Sequence, residues 1–299
     1  MSIVVNTNVG SLNAQRSLAA SGRELATAME RLSSGKKINS AADDAAGFAI
    51  AERMTAQVRG LNMATKNAND GLAMLATIEN ATNDVTDMLQ RVRELAVQAA
   101  NDTNSATDRG YLQKEVDSLM NEINRVASQT VYNDLNVLDG TRAGVIQVGT
   151  DAGQSVAFSI TAIDTDTLGL TNDAFTDAST IDDIAGETAA TSGTLAAGEK
   201  ISVLTAADAA HSLSKITTAI ETVASNRAGY GALANRLEYT VSNLMNVAEF
   251  TTSARSQIED ADFAAESARL AKAQVLQQTG TAMLAQANAS SQLAIQLIR

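Results

Sequence analysis

From Met54 to Ala99 the sequence keeps a spacing that only a long helix can use. Met54, Val58, Leu61, Thr65, Ala68, Leu72 and Leu75 follow one another at alternating steps of four and three. That rhythm gathers side chains on one stripe of an α-helix and makes the seam of a coiled coil. After Leu75 the step to Ile78 is three rather than four, and the pattern resumes through Thr82, Val85, Leu89, Val92, Ala96 and Ala99. A local shift in winding is expected there. From Ile50 to Ala99 such a helix would run for roughly 75 Å at 1.5 Å per residue, so a rod-shaped molecule is expected. Proline is absent from all 299 residues. At average usage about fifteen would occur, and their absence suits long uninterrupted helices.

The same spacing recurs twice. Leu112, Val116, Leu119, Ile123 and Val126 signal a second helix after the polar break Asn101-Asp102-Thr103-Asn104-Ser105, which reads as a turn. Ile216, Ile220, Val223, Arg227, Tyr230, Ala234, Leu237, Val241, Leu244 and Ala248 hold the heptad register near the other end, and the N-terminal helices are the expected partners of that seam. Between these blocks the texture changes. Alternating Val, Ile and Phe on either side of Thr150-Asp151-Ala152-Gly153-Gln154 read as a β-hairpin, at about residues 141–170. The residues that follow, about 171–199, are rich in Thr, Ser, Gly and Ala. From Asp151 to Lys200 the chain carries nine acidic residues against one lysine, so this stretch holds most of the net charge of −12. A short acidic surface excursion is expected.

Composition removes several classes of chemistry. With no cysteine there is no disulfide framework, thiolate metal site or cysteine nucleophile. His211 is the only histidine, which excludes the paired-histidine zinc motif, and no GxSxG turn accompanies it as a triad. The expectation is a chain that is no enzyme and takes no cofactor and no metal. Its acidity argues against nucleic acid, since phosphates require clustered Lys and Arg. No apolar run is long enough to span a membrane, so no membrane insertion is expected. The first basic residue, Arg16, follows the short apolar start, which does not fit a secretory signal peptide. Asp43-Asp44, after Ser40, read as helix-capping residues rather than an acid–base pair.

The two ends carry thinner stripes: Leu18, Leu25, Met29 and Leu32 before Ser33-Ser34-Gly35, and Leu270, Leu276, Met283 and Leu284 near the C-terminus. Such helices bury too little surface to stand alone, so each needs a partner, the other terminus or a neighbouring molecule.

Particular stretches carry a resemblance. ERLSSGKKINSAADDAAGFAIAERM from Glu30 to Met54, NANDGLAML from Asn67 to Leu75 and LQRVRELAVQAANDTNS from Leu89 to Ser105 resemble bacterial flagellin. TTSARSQIEDADFAAES and AQVLQQTGTAMLAQAN, ending at Asn288, resemble its C-terminal region. The sequence departs from the best-known members in its short acidic middle and at Ala289 to Ser291, where many relatives carry a proline.

The resemblance implies a mostly α fold, with long antiparallel coiled-coil helices from both chain ends and a small β-hairpin region. It implies an inner terminal coiled-coil domain from residues 1–44 and 256–299, and a rod-like helical domain from residues 45–255. It also implies a structural subunit that polymerises into the flagellar filament for swimming. Such a subunit is secreted through the flagellar type III apparatus, with an export chaperone, a filament cap and hook-junction proteins as partners. A hook–filament junction protein is the alternative, and the continuous LQRVRE stretch favours flagellin. Leu18, Leu25, Met29, Leu32, Leu270, Leu276 and Leu284 become the terminal assembly residues. If Leu89, Val92, Ala96 and Ala99 face the seam, Arg91, Leu95 and Gln98 fall on a flanking stripe, with Leu95 apolar and off the core. Leu95 then packs on another helix of the same subunit or on a neighbouring subunit, or else it meets an external partner. By the resemblance, this stripe and Glu115 of the second helix contact the host Toll-like receptor that senses flagellin, or neighbouring subunits, or both in turn.

Overall fold

A computed structural model describes residues 7–170 and 201–297, with side chains as far as residue 289. In chain order the described elements are α1 (Val9–Ser34), α2 (Ala45–Ala99), α3 (Ala106–Gln129), β1 (Val131–Tyr132), β2 (Leu135–Asn136), β3 (Ala143–Gln147), β4 (Ser155–Ser159), α4 (Ala206–Glu259) and α5 (Phe263–Leu297). The mostly α fold with a small hairpin region is the one expected. These elements fall into two compact units, one within Gly60–Asn246 and one within Met1–Arg59 and Val247–Arg299. The acidic excursion expected at about 171–199 lies outside the described residues.

In the unit within Gly60–Asn246 the heptad spacing has become a core. Every seam position of α2 from Leu61 to Ala99 is buried or half-buried, and Ile78, Val85, Leu89 and Val92 are fully enclosed. The α4 seam behaves alike, with Ile216, Val223 and Leu237 inaccessible. Each such aliphatic side chain contributes about 1.5–3 kcal/mol relative to exposure. Arg227, the charged member of the α4 seam, donates from Nε to Glu79 Oε1 on α2 at 3.1 Å. A single charged residue in a seam fixes which turns of two helices face each other, because any slip strands the charge.

The ends of the helices are closed locally. At the end of α2, the guanidinium of Arg109 donates to the Ala99 carbonyl at 2.8 Å and the Asn101 carbonyl at 3.1 Å, satisfying acceptors the helix leaves open. A capping box starts α3: Ser105 Oγ accepts from the Asp108 amide, and the Asp108 carboxylate accepts from the Ser105 amide. Hydrogen bonds from Ser105 hold the Asp108 carboxyl below its ordinary pKa.

The expected hairpin is β3–β4, paired antiparallel from Ala143 opposite Ser159 to Gln147 opposite Ser155. Ile146 and Val156 lie opposite each other and are buried, while Val145 is exposed. A second, two-residue hairpin, β1–β2, precedes it. Its loop residues Asn133 and Asp134 both take positive φ, 51° and 60°, the backbone that a tight two-residue connection requires. The larger hairpin lies along α2. Asn67 Nδ2 donates to the Gln147 carbonyl at 3.2 Å, and one turn on, a Cβ added at Gly71 would sit 2.5 Å from Ile146 Cδ1. Gly71→Leu is therefore expected to lower stability by roughly 1–3 kcal/mol through overpacking, despite its better helix propensity. The control is Gly110→Ala on α3, where an added Cβ meets nothing within 4 Å and stability is expected to rise by about 0.5–1 kcal/mol. Urea unfolding of both variants measures the contrast. Equal stabilities would mean that the hairpin does not press on α2 at Gly71.

The chain is pinned on both sides of the undescribed segment. The Ile201 amide donates to the Leu170 carbonyl at 3.3 Å, both residues being buried, and Gln113 on α3 accepts from the Val203 amide at 2.7 Å while donating to the Ile201 carbonyl.

The other unit holds α1, α5, the first turns of α2 and the last turns of α4. Gly35 ends α1 with φ 73°, its amide bonding the Arg31 carbonyl, a left-handed cap that glycine adopts without strain. Asp44 caps α2 by accepting from the amides of Ala46 and Gly47. Asp43 instead closes the preceding turn, accepting from the amides of Asn39 and Ser40 and from the Ser40 hydroxyl. The Ser40 amide is the largest influence holding its carboxyl below the ordinary range. Both carboxylates are thus engaged in backbone turns.

Candidate assembly and recognition surfaces

The terminal helices pair antiparallel. Asn8, which caps α1, donates from Nδ2 to the Ala287 carbonyl of α5 at 2.8 Å. Further along, Gly280 faces Leu18 closely enough that an added Cβ would lie 3.3 Å from Leu18 Cδ1. At the far end Arg31 stands 4.0 Å from Glu266. Beyond it the two connectors are stitched together: the Lys37 amide donates to the Glu259 carbonyl at 2.6 Å, the Ala261 amide to the Gly35 carbonyl at 2.9 Å, and the Lys36 ammonium pairs with the Glu259 carboxylate. Glu266, only 6% exposed, is flanked by Arg31 and Arg269. A carboxylate is buried at such a position only beside positive charge.

What this pair buries is small. Among the described residues of α1 and α5, those fully buried are Ser21, Ala28, Glu266 and Ala273. Leu18, Leu25, Leu32, Leu270 and Leu284 are half-buried, while Leu276 is exposed and Met29 is 56% exposed. Val9, Leu12, Val275 and Met283 are exposed as well. An open groove of about 830 Å³ runs between the helices, lined by Ala14, Ser17, Ser21, Leu276, Gly280 and Met283 among others. Alanines and serines bring two helices close but bury little apolar area, so their contact alone sets little against the entropy of ordering 26 and 35 residues.

The second surface lies on α2 and α3. Arg91 Nε donates to Glu115 Oε1 across the two helices at 2.9 Å, and its Nη1 donates to Glu94 at 3.1 Å. Glu115 first and then Glu94 raise the Arg91 pKa above its ordinary value. Both partners remain accessible, with half of the Arg91 side chain and 44% of that of Glu115 exposed. Gln98 is exposed, as is Val97 beside it.

Leu95 takes the first of its expected places, against another helix of the same subunit, but it is not off the core. Expected off the core, it is 1% exposed and belongs to the same buried cluster as Val92, Ala96, Val116 and Ile123. A heptad stripe reports one partner helix, whereas α2 is bordered here by α3 as well. A helix with two neighbours buries a wider face, so Leu95 and Ala96 are enclosed together. The exposed part of the stripe is therefore Arg91, Gln98 and Glu115, with Leu95 beneath. Val97 was missed by the spacing argument, which followed only the seam and one flank.

His211 is exposed near the start of α4. Among the described residues no group of three or more His, Cys, Asp or Glu is placed to hold a metal ion, and no helix is long and apolar enough to cross a membrane.

Known proteins resemble this chain along most of its length. Residues 5–143 match the family described as the bacterial flagellin N-terminal helical region, and residues 213–298 match the bacterial flagellin C-terminal helical region. A flagellin of Halalkalibacterium halodurans is 37% identical over 298 residues, 99% of this chain and all of that one. The flagellar filament 33 kDa core protein of Treponema phagedenis is 39% identical over 300 residues, again 99% of this chain and all of that one. Among solved structures, the Bacillus cereus flagellin crystal structure is 28% identical, covering 60% of this chain and 88% of that chain with a TM-score of 0.45.

Proposed function

This chain belongs to the bacterial flagellins and is a structural subunit of the flagellar filament; on that footing we propose that its paired terminal helices are the surface through which subunits polymerise. The observation that carries this reading is the exposure of six large apolar side chains, Val9, Leu12, Met29, Val275, Leu276 and Met283, on two helices whose buried residues are nearly all small. Neighbouring copies would cover those side chains and supply the apolar burial that the α1–α5 pair lacks. Folding of the ends would then be coupled to assembly, and assembly would stabilise the folded form by mass action. In the same proposal the subunit is exported through the flagellar type III apparatus to the outside of the cell. It would be met on the way by an export chaperone and at the filament tip and base by the cap and hook-junction proteins.

The exposed stripe on α2 and α3 is assigned to the host Toll-like receptor that senses flagellin. Support comes from Arg91, Gln98 and Glu115 standing accessible on one side of the unit, backed by the enclosed Leu95. A planar guanidinium already oriented by two carboxylates suits a partner that offers acceptors, and arginine is common among interface hot spots. Arg91→Ala is expected to weaken receptor binding by about tenfold while leaving the circular dichroism spectrum unchanged. Equal affinity of the folded variant and wild type would assign the stripe to subunit packing alone.

A further inference from the structure

Two of the exposed apolar residues on the terminal pair are methionines, Met29 on α1 at 56% exposure and Met283 on α5 at 65%. The sequence holds nine methionines. Met54, Met74 and Met88 are half-buried and Met120 is buried, whereas Met63 and Met245 are exposed in the other unit. Met29 continues the stripe of Leu25 and Leu32, and Met283 lines the open groove beside Leu276 and Gly280. Their thioethers are thus open to solvent in the free chain and sit within the surface proposed to be buried by neighbours.

We propose that Met29 and Met283 are oxidation sites that set whether a free subunit can join a filament. The reagent class is a two-electron oxidant such as hydrogen peroxide. The sulfur lone pair attacks one peroxide oxygen, the O–O bond breaks, and a sulfoxide and water result; sulfur loses two electrons and the peroxide is reduced. Conversion turns a flexible apolar side chain into a polar one bearing a strong acceptor oxygen. Exposed in the monomer, that oxygen is hydrated. Buried in a stripe of Leu, Ala and Val it loses its water without a donor in return, so the oxidised subunit is excluded from the polymer. In the filament the same sulfurs are covered, which makes the growing step more vulnerable than the finished structure. Methionine sulfoxide is reducible, so the block is reversible.

The inference rests on the assembly reading, and the two are separable by experiment. Full-length monomer is treated with hydrogen peroxide, the sites are read by peptide mass spectrometry, and elongation of filament seeds is followed by light scattering. The same treatment is applied to a Met29→Leu/Met283→Leu double variant, whose leucines keep the apolar volume. The expected result is that oxidised wild type needs about a tenfold higher concentration to elongate, a factor corresponding to about 1.4 kcal/mol. Whatever its own baseline, the double variant elongates at the same concentration before and after treatment, and methionine sulfoxide reductase restores the wild type. Normal elongation by wild type fully oxidised at both positions would overturn the inference, as would equal losses in wild type and double variant, which would place the sensitive methionine elsewhere. Oxidation of assembled filaments tests the underlying reading separately. If Met29 and Met283 oxidise as fast in the filament as in the monomer, the terminal stripes are not buried on assembly.

Discussion

Removing Met1–Gly35 together with Gln274–Arg299 is expected to leave a soluble, helical monomer that adds to no filament seed. The deletion takes all of α1, most of α5 and the exposed residues Val9, Leu12, Met29, Val275, Leu276 and Met283. It spares the cluster centred on Ile78, Leu89, Ile123, Ile216 and Leu237, which lies in the other unit. Each apolar side chain covered by a neighbour contributes about 1.5–3 kcal/mol. Losing six of them per subunit leaves no comparable attraction, so the elongation rate should fall to background rather than merely slow. Circular dichroism should retain a cooperative melt. Normal filaments grown from the truncated chain would show that assembly does not use the terminal pair.

The second large effect concerns Leu95. Because it is enclosed between α2 and α3, Leu95→Ala is expected to destabilise the unit by about 2–5 kcal/mol through lost burial and a residual cavity. Arg91, one turn before it and half exposed, is expected to change stability far less while mattering to recognition. Thermal unfolding of both variants beside receptor binding separates the two roles. An unchanged melting temperature for Leu95→Ala with lost receptor binding would mean that the leucine meets the partner directly.

Leu95 also shows where sequence reasoning stops. Periodicity located α2, α3 and α4 because a heptad stripe reports one apolar face. The number of neighbours that face meets is a tertiary property, and α3 widened it. Gly71 carried no signal of its own, since its role is set by Ile146, 75 residues on in the chain. The β1–β2 hairpin was missed because two-residue strands have no period to read, though Asn133-Asp134 between Tyr132 and Leu135 was the available clue. The thin stripes of the ends were legible as thin. Their pairing through Asn8, Gly280 and the Arg31–Glu266 contact was not, because contacts between residues more than 200 positions apart leave no local pattern. The same holds for Glu266, whose burial depends on Arg31 from the opposite end of the chain. Capping by Asp44, by contrast, is local chemistry and was readable from the helix that follows, whereas Asp43, also expected to cap, closes the turn before it.

Electron microscopy of the purified full-length chain, mixed with short filament seeds, tests the central claim most directly. A filament subunit that assembles through its terminal helices should extend the seeds into long tubes, with tube length rising with the amount of chain supplied. Growth that stops at a short ring, or seeds that do not lengthen at any concentration, would contradict it.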